Sequence, residues 1–126
     1  MSATRVSICS NALLMLGDRP ISDMGEDNDR ARLATNLYEQ VRDAILRSHP
    51  WNCAVKRVSL APDATPPAFD YAYQFALPED WLRTLQVGEY GYEIDYKSEG
   101  QYLLADENPL YLRYVYRNES EATWDA

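Results

Sequence analysis

The apolar positions of this chain change their period about two-fifths of the way along it. Val6, Cys9, Leu13 and Leu16 recur at intervals of three, four and three, which puts them on one helical face and predicts a helix over 4–17 closed by Gly17. A second helix is predicted over 29–49. Its apolar stripe is Ala34, Leu37, Tyr38, Val41, Ala44, Ile45 and Ser48, and Arg32, Glu39, Arg42, Asp43 and Arg47 face solvent. Glu26-Asp27-Asn28-Asp29 supplies N-cap candidates and acids at its start, and Pro50 stops it by disfavouring helical geometry in the residue before it.

Beyond Pro50 the period falls to two. Strands are predicted over 54–60, 71–77, 81–87, 92–97, 101–105 and 110–117, separated by Pro-, Gly- and Asp-rich turns, and the region 54–117 reads as a sheet of about five strands. Helices first and strands afterwards predict an α+β fold, with two N-terminal helices packed on one face of a mostly antiparallel sheet. At 126 residues the chain fits one domain, 1–126. The segment 118–126 carries cap residues and acids that look like the opening of another helix, so a further C-terminal helical segment is expected after Ala126.

Composition narrows the function. No stretch approaches the ~20 apolar residues of a membrane span, so no membrane partner is expected. The N-terminus has one early basic residue and no small-residue cleavage site, so no signal peptide is read. Cys9 and Cys53 are then expected as reduced thiols, and the Asn118-Glu119-Ser120 sequon as accidental. The net charge of −8 repels phosphate backbones and disfavours nonspecific nucleic-acid binding unless the basic residues cluster on one face.

Candidate chemistry is sparse. Residues 48–57, SHPWNCAVKR, bring the single histidine within four residues of Cys53, but the proline between them spoils a nucleophile–base facing. The stretch reads instead as a structural joint. His49 caps the helix, Pro50 ends it, Trp51 anchors the corner in the core, and Asn52 leads into the sheet. One histidine and no CxxC or HExxH exclude the common metal patterns. Glu79 with Asp80, Glu93 with Asp95, and Glu39 with Asp43 are paired carboxylates of the kind a glycosidase uses. Ten tyrosines, among them Tyr71, Tyr73, Tyr92, Tyr96, Tyr114 and Tyr116, line strand faces where they pack or hold sugars. A cell-wall glycan hydrolase or glycan-binding module is the alternative these residues leave open.

Three runs carry a family resemblance. Cys9-Ser10-Asn11-Ala12-Leu13-Leu14-Met15-Leu16-Gly17, then Ala31-Arg32-Leu33 with Tyr38 and Arg42-Asp43, then Arg47-Ser48-His49-Pro50-Trp51-Asn52-Cys53-Ala54, resemble the head-to-tail adaptor (head-tail connector) proteins of short-tailed bacteriophages, the tail tubular protein A family. Phe75-Ala76-Leu77-Pro78-Glu79-Asp80-Trp81-Leu82-Arg83 and Leu112-Arg113-Tyr114-Val115 look like the sheet of the same family. The resemblance implies a structural virion protein made in the host bacterial cytoplasm and located in the neck. Copies would form a ring that joins the portal protein to the tail tube or nozzle protein and lets DNA pass at ejection. It implies no enzyme activity, no catalytic residue and no cofactor; from motif content and net charge, no metal and no specific nucleic-acid binding are expected either. Family members continue with further helices. Arg32, Tyr38, Arg42 and Arg47 are the expected partner-contact residues, because Arg and Tyr are favoured at the centres of interfaces.

Overall fold

The computed structural model describes residues 3–124. The chain divides into a helical unit, which ends at Cys53 and is completed by the segment from Asn118, and a sheet unit, Ala54–Arg117. The α+β class holds, with two α-helices and six antiparallel strands among the described residues.

In the helical unit, α1 (Arg5–Met15) starts at a capping box in which the Thr4 side chain accepts from the Ser7 N–H and Ser7 reciprocates. It ends in a Schellman turn. The Asp18 N–H donates to Leu13 O at 2.9 Å and the Gly17 N–H to Leu14 O at 3.0 Å, with Gly17 at φ +82°, where glycine avoids the Cβ clash. Helix α2 (Asp29–Ser48) is capped by Asn28, whose Oδ1 accepts from the Ala31 N–H at 2.8 Å, and His49 is its C-cap. The connection folds back on α1. Ser10 Oγ donates to Ile21 O at 2.9 Å and accepts from the Ile21 N–H at 3.1 Å, which seats Ile21 in a core with Cys9, Ala31 and Tyr38. Of the expected C-terminal helix, one 3-10 turn, Glu121–Thr123, is formed. Residues 125–126 and the expected continuation after Ala126 lie outside the described residues.

The sheet unit differs from the single sheet of about five strands. Strands β1 (Val55–Leu60), β6 (Leu110–Tyr116) and β3 (Trp81–Val87) form one three-stranded sheet in that order, and β2 (Tyr73–Ala76), β5 (Tyr102–Ala105) and β4 (Tyr96–Glu99) form a second. A period of two identifies strands without naming their partners, so the split is invisible to it. Phe75, Val87, Leu103, Ala105, Leu110, Leu112 and Tyr114 form one core from residues of both sheets. The predicted strand over 92–97 forms only from Tyr96. Residues before it make a loop in which Gly88 stands at φ +130°, and a Cβ there would lie 2.1 Å from Tyr92 O.

Candidate interaction surfaces

The stretch 48–57 runs from the end of α2 through the 3-10 turn Asn52–Ala54 into β1, and it is not built around a buried tryptophan. Trp51 is 40% exposed, so it does not anchor the corner in the core. Its ring N–H needs an acceptor, and the last turn of a helix leaves carbonyls unpaired. Trp51 Nε1 donates to Ile45 O at 2.9 Å, which holds the ring against the helix end, its centroid 4.6 Å from that of His49. Pro50 and Asn52 are exposed, Asn52 opening the 3-10 turn Asn52–Ala54. Among the described residues no hydrogen bond links His49 to Cys53. Cys53 and Cys9 are free thiols, and burial pushes the Cys9 thiol up, away from the reactive thiolate.

The four expected contact residues separate into two kinds. Arg32 and Arg47 are exposed, and Arg32 reaches Asp27 and Asp29 at 2.6 Å each. Tyr38 and Arg42 are buried, at 9% and 5% exposure, which overturns Arg42 as a solvent-facing residue and places both at the floor of a groove between the two helices. Tyr38 donates to Glu121 Oε1 at 3.1 Å beneath the guanidinium of Arg5, 4.7 Å from the ring centre. Burial first, and then the Glu121 charge and hydrogen bond, push its hydroxyl up to about 12. Arg42 Nε donates to Asp43 Oδ1 at 3.1 Å and its Nη2 lies 3.9 Å from Glu119, so ion pairing makes burial of the charge tolerable. Its Nη1 has no hydrogen-bond partner.

With Ala31, Tyr38, Arg42 and Leu46 turned inward, the neighbouring row of α2 faces out. Leu33, Leu37, Val41 and Ile45 are 47–60% exposed, and Leu16, the C-cap of α1, is 82% exposed. The next row, Asn36, Gln40, Ala44 and Ser48, is exposed and uncharged. Between α1 and α2, Leu16, Leu33, Leu37, Val41 and Ile45 border an almost wholly apolar groove of about 330 Å³, with Cys9, Ala34, Tyr38, Trp124 and the arginines Arg30 and Arg42 also lining it. The stripe was visible in the sequence, but an apolar stripe looks the same whether its own chain or another surface covers it.

At least one member of each acid pair is engaged in a local contact, while Glu79 and Glu93 are exposed. Asp80 accepts from Lys56 Nζ and from the Tyr114 hydroxyl, each at 2.9 Å. Burial pushes its carboxyl up, but these hydrogen bonds, the Lys56 charge and a backbone hydrogen bond together outweigh burial and hold it below the ordinary value. Asp95 meets the Tyr71 hydroxyl at 3.4 Å, Glu93 is exposed, and Glu39 lies 4.0 Å from Arg5. Tyr73, Tyr96, Tyr114 and Tyr116 belong to the core, whereas Tyr92 is 78% exposed. No group of three His, Cys, Asp or Glu side chains is placed to hold a metal among the described residues, and no helix is long and apolar enough to cross a membrane.

In the sequence Asn118 reads as an accidental sequon and as part of a helix opening, not as a buried side chain. It is 3% exposed, and its Nδ2 donates to Cys53 O at 2.7 Å and to Thr123 Oγ1 at 2.9 Å, which occupies the nitrogen a glycan would need. Compared with known proteins, the chain matches no family model and no curated protein sequence.

Proposed function

We propose that this chain is a structural subunit of a phage or prophage head-tail connector, positioned in the virion neck between the portal protein and the tail tube or nozzle protein, and self-associating into a ring through which DNA passes. The motif runs from Cys9 to Gly17 and from Arg47 to Ala54 support the reading. The observation that carries it is the groove bordered by Leu33, Leu37, Val41 and Ile45. A contiguous, almost wholly apolar surface, with Arg30 and Arg42 the only charged residues in its lining, is what the buried centre of a protein interface requires and what a solitary soluble domain avoids. The acidic balance keeps such a subunit soluble before assembly and keeps passing DNA from sticking. No catalytic role is assigned.

The test is to mix the chain with purified portal protein from the same genome and follow assembly by gel filtration and electron microscopy. A complex is expected with the wild type and is lost with Val41→Glu, which folds because Val41 is half exposed. Absence of any complex with the wild type overturns the reading.

The glycan alternative has one observation in its favour, a cleft of about 760 Å³ lined by Phe69, Tyr71, Asp95, Glu99 and Tyr102. Incubation with peptidoglycan fragments tests it. Turnover or binding lost on Asp95→Asn supports the alternative, and no effect on the fragments removes it.

A further inference from the structure

A second surface lies on the sheet unit. Val58, Leu60, Leu110, Leu112 and Tyr114 point into the core, so the alternate positions of β1 and β6, Arg57, Ser59, Tyr111 and Arg113, point the other way. The register sets Arg57 directly opposite Arg113, with Gln86 opposite Arg113 on its other side. Arg83 pairs with Val115, the next position on the same face of β6. A chain with 12 Lys plus Arg against 20 Asp plus Glu thus gathers three arginines on one sheet face.

The central pair has no counter-charge in contact. Like charges directly across a strand pair repel. Neither Arg57 nor Arg113 makes an ion pair or a side-chain hydrogen bond among the described residues, and Arg113 Nε is a buried donor without a partner. The two guanidiniums line a cleft of about 650 Å³ that also takes in Ser59, Gln86, Tyr111, the 91% exposed Tyr90 and one carboxylate, Glu89.

We propose that this face receives the phosphate backbone of a nucleic acid, with the Tyr90 and Tyr111 rings beside it as stacking surfaces. Forked donors paired with exposed aromatic rings are the combination that holds a strand without reading its sequence. An acidic peptide satisfies the arginines but leaves the rings without a planar partner, which favours nucleic acid. The net charge of −8 argued against nucleic acid only if the basic residues were dispersed, and the strand register gathers them. The repulsion of the remaining surface makes the contact weak and strongly salt-dependent. The inference rests on the sheet unit alone and not on the connector reading, and a chain that binds DNA but not portal, or the reverse, separates the two.

The experiment follows the fluorescence anisotropy of labelled single-stranded and duplex DNA with the whole chain at rising salt. Two phosphate contacts, one at each cleft arginine, predict a slope of log affinity against log salt of about −1.4 for single strands and about −1.8 for duplex. Arg57→Gln, at an exposed position that tolerates change, and Arg113→Gln should each reduce the steepness by about one and weaken binding several-fold. Glu89→Gln should tighten it. Pyrophosphate should compete, and polyglutamate should compete less well at equal charge. Absence of salt-dependent binding, slopes unchanged in both arginine variants, or polyglutamate displacing DNA more effectively overturns the proposal, the last in favour of an acidic protein partner.

Discussion

The Tyr114 hydroxyl donates to Asp80 Oδ1 at 2.9 Å and so ties the central strand of the first sheet to the turn that precedes β3. The Arg117 N–H donates to Asp80 O at 2.7 Å at the same place, so the residue after β6 is held by the same aspartate. Asp80 is therefore a structural clasp, although its sequence neighbour Glu79 makes the pair look catalytic.

Asp80→Asn should lower stability at neutral pH by about 1 kcal/mol, allowing for its partial exposure. Because the folded carboxyl titrates below its unfolded value, its contribution is present above the ordinary carboxyl range and is lost as pH falls through the lowered value. Denaturant melts at stepped acidic pH should show a shallower loss of stability for the variant than for the wild type. Identical acid limbs would refute this role.

Tyr38 makes the opposite prediction at alkaline pH. Its folded value of about 12 lies above the unfolded 10.0, so its contribution is intact below pH 10 and is lost as pH rises toward about 12. Burial and Asp80 raise Tyr114 as well, so ultraviolet titration should show a late-ionising tyrosine absorbance that falls by one residue in Tyr38→Phe, and that variant should lose less stability over the same window.

Asn118→Asp should destabilise the helical unit more than Asn118→Ala. The aspartate cannot donate, and it places a carboxylate against Cys53 O and Thr123 Oγ1, two acceptors it would face without a hydrogen. Thermal melts should give a loss of about 1–3 kcal/mol for Ala, with Asp lower still. The reverse order would show that the side chain is flipped in solution.

Trp51→Ala should cost about 1 kcal/mol, the scale of one hydrogen bond with modest surface loss. Phe75→Ala, at a position with no exposed surface, should cost about 3–5 kcal/mol. Chemical denaturation of the pair checks the contrast, and equal losses would restore Trp51 as a core anchor.

What the sequence made legible was local. Asn28 as N-cap, Gly17 as helix stop and Pro50 as terminator act through neighbours one to three residues away, so their residue types suffice. The inward face of α2 was not legible. Its pattern holds two adjacent apolar rows, and the choice between burying Tyr38 with Arg42 or Leu37 with Val41 depends on Arg5, Glu119 and Glu121, which are remote in sequence. The Arg57–Arg113 pairing is likewise set by strand register, which no single strand encodes. Trp51 was misjudged because size was weighed without its ring N–H, whose need for an acceptor drew it to the helix end.

The bond from Asn118 to Cys53 has a further meaning for how this chain is built. The polypeptide leaves the helical unit at one of these residues and returns to it at the other, so the whole sheet region sits as an insertion between two points one hydrogen bond apart. An insertion with adjoining ends is excisable: a short glycine linker in place of residues 54–117 should leave a folded helical hairpin with its Tyr38–Glu121 contact intact.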